Sequence, residues 1–138
     1  ERVAPLPLAP LRTHPLRPNT AVWAAGPYLF AYDCAEGAWE LKRKEAHSGA
    51  IRTLDAEVAS GSAAGATRWI SAGDDKAIHV WDERDGSWEL AASHRHGKKV
   101  TCALLDGSGR ALFADRFGDV YRWCLRDDSE AQVLLSHL

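Results

Sequence analysis

The 138-residue chain contains no uninterrupted apolar segment of about 18 residues, the length at which a membrane-spanning helix is suspected. The sequence therefore predicts no transmembrane segment. An excess of one charge is also lacking, because 17 basic residues stand against 19 acidic ones and the net charge is −2. This balance argues against a protein that wraps nucleic acid by itself, since such a protein needs a strongly basic face.

Cysteine is scarce, and the three present are Cys34, Cys102 and Cys124. An odd number without close pairing does not predict a disulfide framework and is typical of a reducing compartment. The first 18 residues contain five prolines, which interrupt both the apolar core of a signal peptide and an amphipathic targeting helix. We therefore expect residues 1–19 to form a Pro-rich, disordered lead-in.

One pattern of short strands recurs three times along the chain. A strand, a Gly-Asp turn and an alternating strand that ends in Trp-Asp occupy residues 71–86, with related patterns over 111–128 and 21–37. The corresponding strand ends are Tyr32, Trp81 and Trp123, which are 49 and 42 residues apart. Repeats of about 40–45 residues with a Trp-Asp signature predict the four-stranded blades of a β-propeller.

We therefore predict an all-β fold that is part of a propeller, with two to three four-stranded antiparallel blades. Residues 20–46 are predicted to form an incomplete first blade, because no clear innermost strand precedes Ala21. Residues 47–94 form the second blade, with a small-residue surface loop over 59–66, and residues 95–138 form the third blade and the start of the next. A propeller needs roughly four to eight blades, so we expect an amino-terminal part of a longer protein with apolar blade faces left open.

The second repeat resembles the WD-repeat family, whose blades hold a buried His–Ser/Thr–Asp–Trp hydrogen-bond chain. The matching positions are His47, Ser71, Asp75 and Trp81, with Asp75 six residues before Trp81. The resemblance implies a structural tetrad in which the buried polar atoms satisfy one another. A Ser-His-Asp hydrolase triad is the competing hypothesis, and it lacks the strand–nucleophile–helix turn that such a site needs.

The third repeat departs from this pattern. Phe117 stands at the position of the turn aspartate, between Asp115 and Asp119, so we expect the hydrogen-bond chain to be absent or rearranged there. His94 and His96 supply two imidazoles without a cysteine or acidic partner nearby. A metal site needs about three or four converging ligands, and the sequence therefore predicts none.

Two basic clusters lie at predicted strand ends. Residues 42–44 are Lys-Arg-Lys on the outer strand of the first repeat, where exposed charge discourages the addition of another strand. Arg95, Lys98 and Lys99 lie where the chain enters the third blade, which is a position at one rim of a propeller. We identify these three as candidate rim contacts to a phosphate group or a protein partner, with simple solvation as the alternative.

A more specific resemblance joins several segments. LFAYDC (29–34), ISAGDDKAIHVW (70–81), the long segment 98–123 and the final LLSHL together resemble the non-catalytic WD-repeat subunit of the eukaryotic tRNA (guanine-N7) methyltransferase. Gly-Asp-Val-Tyr at residues 118–121 is the most specific part of the match.

This resemblance implies a seven-bladed propeller that forms a heterodimer with a catalytic subunit and stabilises it. That subunit would bind S-adenosylmethionine and form N7-methylguanosine in the tRNA variable loop, in the nucleus. The propeller itself would have no catalytic, cofactor-binding or metal-binding residue and would contact tRNA only indirectly.

Two other kinds of protein remain to be weighed. One is a different WD-repeat interaction scaffold, such as a ubiquitin-ligase adaptor or a chromatin-associated protein. The other is a propeller enzyme with a catalytic centre in its channel, which would need carboxylates or histidines on the inner strands. The predicted inner strands, 50–54 and 100–105, are apolar and uncharged apart from Arg52, which disfavours the enzyme.

Overall fold

The computed structural model describes residues 10–59, 65–125 and 131–136. These residues form twelve β-strands in three four-stranded antiparallel sheets. Several predicted features fall outside the described residues: the start of the lead-in (1–9), most of the small-residue loop (60–64), residues 126–130 of the third repeat, and the residues predicted to begin a further blade (137–138). The described part of the chain contains no helix that is long and apolar enough to cross a membrane.

The first sheet is a complete blade. Its strands are β1 (Leu11–Thr13), β2 (Thr20–Ala25), β3 (Tyr28–Asp33) and β4 (Ala38–Glu45). The structure differs here from the predicted incomplete blade and from the predicted disordered lead-in, because β1 pairs with β2 as the innermost strand. The strand β1 has only three residues, which are too few to show the alternation of apolar and polar side chains that marks a strand. Its extended conformation comes from antiparallel pairing with β2.

The other two sheets repeat this order, with the first strand of each blade innermost. The second blade contains β5 (Ile51–Val58), β6 (Ala66–Gly73), β7 (Ala77–Arg84) and β8 (Ser87–Arg95). The third blade contains β9 (Val100–Leu105), β10 (Arg110–Asp115), β11 (Val120–Cys124) and β12 (Gln132–Leu135). Asp85 and Gly86 both have positive φ angles, 52° and 85°, and they make the tight turn that the right-handed twist of β7 and β8 requires.

Two apolar cores join the three blades, one at each interface between neighbours. The first core packs small aliphatic side chains of the first blade against two tryptophans of the second, and its main members are Val22, Ala24, Leu29, Ala31, Leu54, Trp69 and Trp81. The second core repeats this arrangement between the second and third blades, with Ile70, Ala72, Ile78, Val80, Phe113 and Trp123. Because side chains alternate across a strand, the second blade is buried on both faces. The predicted all-β fold, built from blades of a propeller, is confirmed.

Candidate functional site

The entry loops of the second and third blades meet the turns of those blades at one rim. This rim, here called the entry rim, consists of loops 46–50 and 96–99 and turns 74–76 and 116–119. Backbone hydrogen bonds join each loop to its turn: the Asp74 amide donates to Ala50 O (2.9 Å), and the Arg116 amide donates to Lys99 O (3.0 Å). Side chains on these segments therefore have fixed relative positions.

The structure brings the four predicted tetrad residues together in one hydrogen-bond chain. Nδ1 of His47 lies 2.9 Å from Oδ2 of Asp75, and its Nε2 lies 2.8 Å from Oγ of Ser71. The Trp81 indole N–H donates to the same Oγ at 2.9 Å. These hydrogen bonds link the entry loop to β6, β7 and the turn between them, so they close the second blade at the entry rim.

The protonation state of His47 follows from which of its neighbours can accept a hydrogen bond. A carboxylate only accepts, so Nδ1 of His47 donates to Asp75, and a neutral ring then accepts from the Ser71 hydroxyl. Burial lowers the pKa of His47 and so favours that neutral ring. Burial alone would raise the pKa of Asp75, but amide hydrogen bonds from Ala77 and Ser48, together with His47, outweigh it and lower the pKa.

This geometry bears on the competing hydrolase hypothesis. The Ser71 side chain is 0% exposed, and its oxygen already accepts a hydrogen bond from Trp81. A nucleophile must reach a substrate carbonyl, and this hydroxyl is fully buried. The tetrad therefore acts as a structural link within the blade.

The third blade contains a rearranged version of the network. Asp115, at the end of β10, is buried and bonds Nε2 of His96 at 3.0 Å. Its other oxygen accepts the amides of Phe117 (3.0 Å) and Asp119 (3.3 Å). Burial, the two aspartates and a hydrogen bond to Asp115 raise the pKa of Tyr121. Asp115 therefore makes the contacts to a histidine and to turn amides that Asp75 makes in the second blade. It does so from a position two residues before Phe117, the residue that corresponds to Asp75.

The predicted rim contacts separate into two places. Lys98 lies on the third blade, with its Nζ 4.6 Å from the centre of the Phe117 ring and 3.8 Å from Oδ2 of Asp119. Lys99 is exposed on the same loop, and its charge helps to lower the pKa of Asp74, whose main cause is the hydrogen bond from Arg52. Arg95 instead ends β8 on the second blade.

Arg95 lines a polar cavity of about 440 Å³ beside the tetrad. The cavity is also lined by His47 and by His79, whose rings are 4.4 Å apart. Burial, with the neighbouring His47, lowers the pKa of His79 to about 4. The Ser93 hydroxyl lies 2.8 Å from its Nδ1. The two rings are therefore neutral at physiological pH.

The sequence did not predict a second polar cluster, which joins the first two blades near the opposite rim. His14 follows β1 and is hydrogen-bonded to Glu83, and both side chains are buried. Glu83 also accepts from the hydroxyl of Thr67 (2.7 Å), and Arg17 bridges Glu83 (3.2 Å) and Glu40 (2.6 Å). These donors outweigh the effect of burial and lower the pKa of Glu83 to about 2. The available signal in the sequence was the position of Glu83 two residues after Trp81, which places both side chains on the same face of a strand.

The cluster Lys42–Lys44 covers aromatic rings on the first blade and its neighbour. Lys42 Nζ lies 5.7 Å from the Trp39 ring, the Arg43 guanidinium 4.6 Å from the Tyr28 ring, and Lys44 Nζ 5.2 Å from the Trp81 ring. Among the residues that the structure describes, no three His, Cys, Asp or Glu side chains converge as a metal site would require. His94 instead packs against Trp123, with ring centres 5.3 Å apart.

The stacked, four-stranded antiparallel blades define part of a β-propeller, and in two of them an entry-loop histidine is bonded to a carboxylate of the same blade. No family model matches the chain. Over 98 residues it is 28% identical to the tRNA (guanine-N(7)-)-methyltransferase non-catalytic subunit wdr4 of Dictyostelium discoideum, a match that covers 70% of this chain and 20% of that protein.

A solved structure shows the same architecture. The β-propeller domain of Cps50 (Swd1) from Myceliophteria thermophila superposes with a TM-score of 0.72 at 15% identity, over 91% of this chain and 38% of that one. At this identity the likeness shows the fold alone. The chain spans about a fifth of the length of the curated relative and well under half of the structural one.

Proposed function

We propose that this chain belongs to the non-catalytic subunit of a tRNA (guanine-N7) methyltransferase and acts as a scaffold for the catalytic subunit. The observation that supports the proposal most strongly is the 98-residue similarity to a protein with that name. The propeller fold supports a binding role, because blades of this kind present a rigid rim of loops and turns to a partner. The complete protein would be a seven-bladed propeller in the nucleus, in a heterodimer.

In this proposal the catalytic chemistry belongs to the partner. The catalytic subunit binds S-adenosylmethionine and transfers the methyl group to a guanosine of the tRNA variable loop. The propeller binds the folded, competent form of that subunit and so increases its population by mass action. The proposed contacts are Lys98 and Lys99 at the entry rim and Arg95 at the end of β8, and tRNA is bound through the partner.

Depletion of the full-length protein provides the test. We expect loss of N7-methylguanosine from tRNA and co-purification of the protein with a methyltransferase subunit. Re-expression of the wild-type protein should restore the modification. A triple variant with Arg95, Lys98 and Lys99 changed to Gln should restore it less well at equal protein level. Unchanged tRNA modification after depletion would refute the proposal and leave the propeller assignment intact.

A further inference from the structure

The outermost strands of the three blades differ in charge. The strands β4, β8 and β12 form the outer edges of the three sheets. Charged residues mark the first two edges, because β4 contains Lys-Arg-Lys at residues 42–44 and β8 contains Glu89 and Arg95. The strand β12 (Gln132–Leu135) contains no charged residue. Charge on an edge strand discourages the pairing of another strand, so β12 lacks a protection that the other two edges have.

The side chains of β12 are exposed along its whole length. The exposed fractions of Val133, Leu134 and Leu135 are 58%, 51% and 61%. Because successive side chains of a strand point to opposite faces, these three consecutive residues make both faces of β12 apolar at its free edge. Such an exposed apolar run on a strand is typical of a surface that binds another chain.

The inner edge of the same sheet is closed by side chains. Oγ1 of Thr53 accepts the Ala103 amide of β9 at 3.0 Å, and Oδ2 of Asp55 accepts the Leu105 amide at 3.0 Å. At the outer edge, no strand or side chain in the described ranges bonds the backbone groups of β12 that point away from β11. The third blade therefore has one closed edge and one edge whose backbone donors and acceptors are open.

The backbone of a free edge determines what can cover it. The blades of this molecule contact one another through their sheet faces, where both apolar cores lie, so a neighbouring blade does not cover an outer edge. An edge presents amide N–H and carbonyl groups in alternation, and the group that matches this alternation is another extended polypeptide. The chemistry of β12 therefore favours a protein strand as its occupant.

We propose that β12 is a docking site for an extended segment of a protein partner, which adds to the third blade as a further strand. The segment is uncharged and has apolar residues at alternate positions, because its side chains lie beside those of Val133, Leu134 and Leu135. The site is on the outer side of the blade and does not depend on the function proposed above.

The direct test measures binding of a fluorescent peptide to the full-length protein by anisotropy. The peptide alternates Thr and Val and has a Lys at each end for solubility. Amide hydrogen exchange locates the bound peptide, and we expect residues 132–135 to gain protection while residues 87–95 of β8 do not. A peptide with the same side chains and N-methylated amides has no donors for strand pairing and should bind roughly tenfold more weakly.

Variants of the edge provide a second measurement. Leu134→Lys places a charge on β12 and should weaken binding of the peptide roughly tenfold, since strand pairing would take that charge out of water. Leu90→Lys is the matched control, because Leu90 is 53% exposed on the outer strand of the second blade, and it should leave binding unchanged. Leu134→Ile keeps an apolar side chain that suits a strand and should bind like the wild type.

Thermal unfolding shows whether each variant is folded, and the N-methylated peptide keeps the test valid if Leu134→Lys is not. The proposal is wrong if that peptide binds as tightly as the unmodified one, or if β12 gains no protection. Equal weakening by Leu134→Lys and Leu90→Lys would also overturn it. A dimer of the wild-type protein without peptide, abolished by Leu134→Lys, would assign the edge to a second copy and refute the proposal.

The two proposals fail in different experiments. Unchanged tRNA modification after depletion refutes the proposed function and leaves peptide binding at β12 as it was measured. Absence of peptide binding refutes the docking site and leaves the tRNA modification result as it was.

Discussion

A single hydroxyl group connects two strands and the entry loop of the second blade. The Ser71 oxygen accepts from Trp81 and its hydrogen points to His47, so its removal leaves two buried polar atoms without a partner. A buried donor or acceptor that is left without a partner costs its full desolvation penalty. This cost is larger than the net contribution of the hydrogen bond to stability. The tetrad is therefore sensitive to changes that remove very little volume.

We expect Ser71→Ala to lower the free energy of unfolding by about 1–3 kcal/mol, the cost of unsatisfied buried polar groups. Urea unfolding of the two proteins measures the difference. Ser87→Ala is the matched control, because Ser87 is exposed on β8, and such changes stay within about 0.5 kcal/mol. Equal stability of the Ser71 and Ser87 variants would show that the hydrogen-bond chain does not stabilise the blade.

The lowered pKa of His79 predicts that the stability of the protein depends on pH. In the unfolded chain this histidine gains its proton near pH 6.5, whereas burial and His47 hold the pKa of folded His79 at about 4. The unfolded state therefore binds more protons between these values, and stability falls as the pH decreases from 6.5 towards 4. Buried His47, with its lowered pKa, acts in the same direction.

Urea unfolding at intervals between about pH 7 and pH 4 measures this decline. His79→Gln removes one of the two groups and should give a shallower slope over that range. An unchanged slope in the variant would contradict the assignment to His79.

The strand β6 ends in a glycine, Gly73, whose position leaves no room for a side chain. A Cβ atom on Gly73 would lie 2.0 Å from the carbonyl oxygen of Ala50, where β5 shifts register between Ile51 and Thr53. This close approach brings the entry loop and the turn of the second blade together. Any side chain at residue 73 must push the two strands apart.

We expect Gly73→Ala to destabilise the second blade by more than about 4 kcal/mol, because the added Cβ overlaps the Ala50 carbonyl oxygen and the strands must move apart. Gly97→Ala is the control, because nothing lies within 4 Å of its added Cβ. Circular dichroism during thermal unfolding compares the two. A Gly73→Ala protein with the melting temperature of the wild type would mean that β5 and β6 can separate without cost.

The strand β1 depends on side chains beyond its three residues. Glu83 anchors His14 and Arg17, the residues that follow β1, to the second blade. We expect Glu83→Gln to cost about 3–5 kcal/mol, as breaking a buried ion pair does, and to increase amide exchange over residues 11–20 more than over β3. Glu89→Gln, on exposed β8, is the control.

Uniform exchange over the first blade in the Glu83 variant would refute the anchoring role.

The pKa of Glu83 is about 2 in the folded protein and near 4.5 in the unfolded chain. The contribution of Glu83 to the free energy of unfolding is therefore complete above pH 4.5 and is lost as the pH falls to 2.

Among the described residues, the three blades leave one sheet face open at each end of the stack. The outer face of the first blade is aromatic, with Trp23 stacked on Phe30 at 5.4 Å and Trp39 beside them. The outer face of the third blade is aliphatic and includes Leu104, which is exposed. The same two kinds of face meet at both internal interfaces, so each open face has the chemistry that a further blade would bury.

We expect the 138-residue chain alone to self-associate as its concentration rises, because open apolar faces of this kind favour association. Leu104→Lys, which adds a charge to the aliphatic face, should reduce the associated fraction in sedimentation velocity. Lys76→Gln at the rim should not. Association that is unaffected by Leu104→Lys would show that the aliphatic face is not the surface involved.

Much of this architecture follows from local patterns in the sequence. Alternation of apolar and polar residues, turn residues such as Asp85-Gly86, and the recurrence of Trp81 and Trp123 indicate strands, hairpins and repeats, because each depends on neighbours within one blade. The positions of the tetrad residues were also predictable, since the second repeat resembles a pattern that places His47, Ser71 and Asp75 at known offsets from Trp81.

Contacts between distant segments could not be predicted in this way. Three features depend on which segments meet in space: the pairing of β1 with β2, the burial of Glu83 against His14 69 residues away, and the use of Asp115 as the carboxylate under the turn that has Phe117 in place of an aspartate. A three-residue strand or a lone acidic residue has no period of its own, and its conformation comes from partners outside its local sequence. Local order within each blade is therefore a property of the sequence pattern, whereas the joining of the blades depends on three-dimensional packing.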